Sequence, residues 1–164
     1  MVNKHRRKDC VVNIFGEGDP RYIDSLKEKI SNHGINSEVV FHGNRSREDI
    51  ISLYSQYDIT IVPSVWEEPF GLVVIESMLC KTPVIGSKIG GIAEIIEDRV
   101  DGILVSPNDK VSLSDAIMEL LEDEKLYKII VDNAYKKVCE QYDIGKLAGK
   151  VLKVMENIRG IKNR

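Results

Sequence analysis

Two carboxylates eight positions apart, Glu68 and Glu76, are the groups in this sequence best placed to do chemistry. Glu68 sits in a loop bounded by Pro63 and Pro69, and Glu76 follows the run Leu72-Val73-Val74-Ile75. Four consecutive apolar residues leave a helix no solvent stripe, so a helix over residues 71–79 is expected to be buried nearly all round. An ionised carboxylate there is costly unless it is paired or faces a wet cleft. No residue nearby in sequence is an obvious partner for Glu76, and a ligand carrying hydroxyl groups would serve. Phe70, Gly71 and Leu72 open the helix, where N–H groups have no intrahelical acceptor and Gly71 leaves room for close approach. Such a start takes phosphate readily. Amide donors beside two carboxylates suit a sugar joined to a phosphate. On spacing alone a structural reading stays open: Glu68 could favour the helix dipole, and Glu76 could meet Lys81, Lys88 or a backbone donor.

The elements that must position these groups alternate along the chain. Apolar runs at 10–15, 38–41, 58–62, 82–85 and 102–105 read as strands. Helical patterns lie between and after them, at 21–33, 46–54, 71–79, 92–96, 111–121, 124–140 and 144–158, with Ser46 as the N-cap of the second. Strands alternating with helices predict an α/β fold, a Rossmann-like parallel sheet with helices on both faces. In such sheets ligands bind beyond the carboxyl ends of the strands. The site loops are then 16–19, 42–47, 63–70 and 87–91, and three of the four contain glycine.

Composition narrows the function classes. The chain has 164 residues, 43% hydrophobic and 30% charged, with a net charge of −3. That balance gives no global attraction to nucleic acid or anionic membrane. The basic cluster Lys4-His5-Arg6-Arg7-Lys8 is local, and residues 1–9 read as a basic tail before a domain over 10–142. Residues 143–164 read as a terminal helix and tail. Cys10, Cys80 and Cys139 stand among apolar neighbours without motif spacing, the pattern of packed, reduced thiols. No run reaches the roughly 18 apolar residues a membrane span needs. The cytoplasm is the default compartment.

Other candidate motifs resolve less. Gly16-Glu17-Gly18 follows the first strand, yet the third glycine of a dinucleotide fingerprint would fall at Arg21, and the next strand runs into Phe41-His42-Gly43 without an acidic end. Nicotinamide or flavin chemistry is therefore not expected. His42 has no Ser, Cys or Asp placed to form a triad, and the histidines and cysteines lack zinc-ligand spacing, so no metal site is expected. Trp66 could stack on a sugar or pack in the core.

The segment from Pro63 to Met78 resembles the donor-site signature of glycosyltransferase family 4, retaining enzymes of the GT-B fold. That signature pairs two glutamates at the spacing of Glu68 and Glu76. Pro63-Ser64, Glu76-Ser77-Met78, Thr82-Pro83-Val84-Ile85, Gly90-Gly91, the strand 102–105 and Pro107-Asn108-Asp109 fit the same pattern. The likeness covers residues 11–121. It implies the C-terminal half of a GT-B fold, lacking its first strand and helix, with the diphosphate-clamping Arg and Lys and the acceptor domain missing. It also implies transfer of a hexosyl group from a UDP- or GDP-linked sugar to a glycan or lipid-linked acceptor. No cofactor beyond that co-substrate and no nucleic acid are expected, while the full-length enzyme is free to touch a membrane peripherally. Through the resemblance Glu68 takes the catalytic position, orienting the donor sugar, and Glu76 accepts hydrogen bonds from the ribose diol. Phe70, Gly71 and Leu72 meet sugar or phosphate, Asn44 and Arg45 lie where the base is held, and Gly16 lines the nucleotide side. This polypeptide by itself is expected to be inactive. Two other readings are a non-catalytic nucleotide-sugar-binding or assembly module, and a nucleotide-sugar epimerase. The epimerase would need further cleft carboxylates, and none is evident.

Overall fold

Asp19 and Pro20 start the first helix as their chemistry dictates: the Asp19 carboxylate accepts from Arg21 N–H at 2.8 Å, and Pro20 occupies the first turn. The structure, a computed structural model, describes residues 10–142. It contains β1 (Val12–Phe15), α1 (Pro20–Asn32), β2 (Val39–Gly43), α2 (Arg47–Tyr54), β3 (Thr60–Val62) and α3 (Leu72–Leu79). These are followed by β4 (Val84–Ser87), α4 (Gly90–Ile95), β5 (Ile103–Val105), α5 (Lys110–Glu122) and α6 (Glu124–Gln141). The expected helix at 144–158 and the basic tail at 1–9 lie outside the described residues. The chain divides into two compact units, one up to Ile50 and one from Ile51.

The α/β alternation and parallel pairing are as expected from sequence. In the first unit β1 and β2 pair in parallel, and in the second β3-β4-β5 form a parallel ladder with β4 in the middle. Apolar period predicts that strands exist, but carries no information on which neighbours they take.

In the second unit, β4 distributes its side chains between two cores. Val84 packs with Val74, Ile75 and Met78 of α3, Ile92 and Ile95 of α4, and Ala134 and Val138 of α6. Its neighbour Ile85 packs on the other face with Ile103 and Val105 of β5, Ala116 and Leu120 of α5, and Ile130 of α6. The strand's two-residue period is what separates the cores. Val84, Ile85, Met78 and Ile130 are essentially inaccessible to solvent. A partly buried ion pair ties α6 to the turn before β5: Lys137 Nζ donates to Asp101 Oδ2 and to the Ile95 carbonyl, both at 2.6 Å. Asp101 Oδ1 accepts in turn from Glu97 N–H at 2.8 Å.

Two expectations about burial fail. α3 is not buried all round, since Leu72, Val73 and Leu79 are 54%, 44% and 45% exposed. The helix is only eight residues long, and its buried stripe is Val74, Ile75, Ser77 and Met78. A serine therefore takes an inward position, where its hydroxyl is satisfied by Thr60 Oγ1 at 2.8 Å and the Thr82 carbonyl at 2.9 Å. Cys10, expected to be packed, is exposed.

Candidate functional site

Each unit brings two of the predicted loops together at the carboxyl ends of its strands. In the first unit, Gly16 N–H donates to the Gly43 carbonyl at 2.9 Å, so the loop after β1 is joined to the loop after β2. Both glycines have positive φ, 124° and 66°. Asn44 and Arg45 follow, exposed, and Ser46 caps α2 by accepting from Asp49 N–H at 3.1 Å. His42 lies beneath them, its Nε2 2.8 Å from Asn13 Oδ1 and its ring stacked on Phe15 at 4.6 Å. Its contacts are thus an amide and a ring.

In the second unit, β3 runs into Pro63 and a loop that carries Glu68 to the start of α3. Ser64, 6% exposed, donates its hydroxyl to Glu68 Oε1 at 3.0 Å. The Glu68 carbonyl accepts from Gly91 N–H at 2.7 Å. The carboxylate is therefore fixed at its side chain by its own loop and at its backbone by the start of α4. This approach depends on glycine. A methyl at Gly91 would stand 2.9 Å from Phe70 Cα, and one at Gly90 would stand 2.7 Å from the Glu68 carbonyl oxygen. Such distances are closer than a Cβ tolerates.

Gly71 precedes α3 at φ 72° and ψ 45°, in the left-handed region. A methyl there would meet Ile95 and Ile92 side chains at 3.4 and 3.5 Å, which are ordinary contacts. What requires glycine within the protein is the handedness of the backbone. Gly71 offers no side-chain cap, so the first N–H groups of α3, at Leu72 and Val73, lie before the first carbonyl-accepted one, Val74 N–H to the Gly71 carbonyl at 3.0 Å. A recess of about 280 Å³ opens at this point, lined by Val62, Glu68, Pro69, Phe70, Gly71, Leu72 and Val73. Glu68, Phe70, Gly71 and Leu72 thus share one cavity wall. The exposed side of α3 faces into this recess through Leu72 and Val73. Phe70 also sets its ring edge-on to Tyr142, with centroids 6.3 Å apart.

Glu76 stands further along α3, partly buried, and is not among the residues lining the recess. Its partner is one that sequence reasoning missed: Tyr54 at the end of α2 directs its hydroxyl to Glu76 Oε2 at 3.3 Å. Tyr54 is 6% exposed, and its carbonyl accepts from Thr82 Oγ1 at 2.8 Å. Burial, and secondarily the charge of Glu76, push the Cys80 thiol pKa up. Lys81, one of the partners considered for Glu76, lies over the Tyr135 ring at 4.7 Å. Trp66 is 62% exposed and so is not a core residue. Among the described residues no group of three or more His, Cys, Asp or Glu side chains could hold a metal ion. No helix of the described residues is long and apolar enough to cross a membrane.

The α/β fold of parallel strands joined by helices matches structures of the C-terminal domain of GT-B glycosyltransferases. The sequence matches the family model of Glycosyl transferases group 1 over residues 1–137, and the chain belongs to that family. It is 36% identical over 154 residues to an uncharacterized glycosyltransferase of Methanocaldococcus jannaschii, covering 94% of this chain and 38% of that protein. It spans less than half the length of the curated relatives it matches. Among solved structures it resembles Anabaena HepE in complex with UDP-glucose, with a TM-score of 0.81 and 29% identity. That match covers 90% of this chain and 41% of the other. It also resembles the C-terminal domain of a glycosyl transferase group 1 family protein from Francisella tularensis, with a TM-score of 0.78 and 32% identity. Here 85% of this chain and 73% of the other are covered.

Proposed function

We propose that this chain is the nucleotide-sugar-binding part of a retaining glycosyltransferase that moves a hexosyl group to a glycan or lipid-linked acceptor. The observation that carries this reading is the recess at the start of α3, lined by both Glu68 and the uncapped helix entry Phe70-Gly71-Leu72. A sugar presents hydroxyl donors and a diphosphate presents anionic acceptors, and this wall offers the complement of each. The related Anabaena structure with UDP-glucose supports a nucleotide sugar as the ligand class.

In this proposal Glu68 takes hydrogen bonds from hydroxyls of the donor sugar and fixes its ring. The amides of Phe70, Gly71 and Leu72 face the sugar or its phosphate, and stabilise negative charge as the diphosphate leaves. Glu76 accepts from the ribose diol and holds the nucleotide. For the first unit, the proposal assigns nucleotide contacts to Gly16, Asn44 and Arg45. No metal is assigned, and the co-substrate is UDP- or GDP-linked.

An NMR titration of the chain with UDP, GDP and ADP, each unlinked and glucose-linked, tests the reading. One nucleotide is expected to move amide resonances of residues 68–76. Charge-assisted hydrogen bonds contribute about 1.5–3 kcal/mol, so Glu76→Ala is expected to weaken that binding by about ten- to a hundredfold. Titrations that leave those resonances unmoved with all six compounds would sink it.

A further inference from the structure

Both site carboxylates are met by a hydroxyl that is itself buried. Ser64 reaches Glu68 Oε1 from four residues upstream, and Tyr54 reaches Glu76 Oε2 from a different element. Each donor is 6% exposed, so its hydroxyl competes little with water for the carboxylate. Tyr54 is also tied at its backbone, its carbonyl accepting from Thr82 Oγ1 at 2.8 Å. A proton donated to one carboxylate oxygen sets the rotation of the group and leaves the second oxygen as acceptor. A glutamate has three side-chain torsions to order, and ordering them before a ligand arrives removes that cost from binding.

We infer that Ser64 and Tyr54 are positioning residues of the donor site: Ser64 orients Glu68 toward the sugar, and Tyr54 orients Glu76 toward the nucleotide. The inference rests on the function proposed above. A purely structural role for the same hydroxyls, satisfying their own burial, predicts something different. Removing them would then change stability without changing which part of the ligand is felt.

Ser64→Ala and Tyr54→Phe separate the two, because each deletes one oxygen and keeps the packing. The probes are UDP, GDP and ADP with their glucose conjugates, and the readouts are binding by NMR and the melting temperature. Ser64→Ala is expected to weaken the glucose-linked nucleotide by about tenfold while the unlinked nucleotide binds as to wild type. Tyr54→Phe is expected to weaken both forms equally, by about three- to fivefold, since its 3.3 Å bond is the longer one. The inference is overturned if wild type binds and both variants match it, or if both variants lose both ligands in step with a lowered melting temperature. A wild-type chain that binds none of the probes overturns the proposed function, and the inference falls with it.

Discussion

At the scale of single residues, glycine serves two separate ends around the candidate site. Gly71 is needed for a left-handed backbone, and an L-alanine there is expected to cost about 1–2 kcal/mol in strain although its methyl has room. Gly91 is needed for space, because a methyl would press into the backbone of Phe70, which cannot swing aside. Gly91→Ala is expected to destabilise by about 1–3 kcal/mol and to move the amide resonances of residues 67–72. Urea unfolding and a single two-dimensional NMR spectrum measure both effects. Unchanged resonances would show that α4 does not set the Glu68 loop. The position of Glu68 just before a helix was legible in the sequence, from prolines, glycine and the apolar run that follows. The partner of Glu76 was not, because Tyr54 lies 22 positions away and only the folded chain brings its hydroxyl near. Nor did Ser64 announce itself, since its Oγ meets the carboxylate only through the bend of the loop.

At the scale of elements, α5 and α6 carry the clearest physical predictions. Asp109 caps α5, and the Ser112 N–H above all, with that of Val111, holds its carboxyl below the ordinary aspartate range. A depressed folded pKa means stabilisation that is complete above the unfolded value, about 3.9, and is lost as pH falls through the folded value. Asp109→Asn is accordingly expected to flatten the acid limb of a melting-temperature profile below about pH 4. An acid limb identical to wild type would refute this. α6 depends on its partly buried ion pair. Lys137→Met removes the partner of Asp101, which is 3% exposed, and is expected to cost about 3 kcal/mol in urea unfolding. Adding Asp101→Asn should recover part of that loss, because the unpaired carboxylate is gone. Helix existence was readable from apolar period in all six described cases, with ends displaced by a residue or two. The exposed side of α3 was not readable, since Leu72 and Val73 are as apolar as the buried Val74 and Ile75 beside them.

At the scale of the whole molecule, the strand order of the second unit, with β4 between β3 and β5, could not be read from sequence, because parallel pairing leaves no hairpin signal. The two cores of the second unit, by contrast, follow from the alternation along β4 once its neighbours are known. α6 is common to both: Ile130 enters the core of α5 and β5, and Ala134 and Val138 enter that of α3 and α4. A cut in the turn at Asp123 would therefore strip an essential face from both cores at once, while leaving each severed end in an exposed turn. The two pieces, up to residue 122 and from 123 to 164, would each be left with unmet apolar surface that only the other can cover. Co-expressed on separate plasmids, they make a natural split pair, whose reassembly reports directly on whether two fused partners have met.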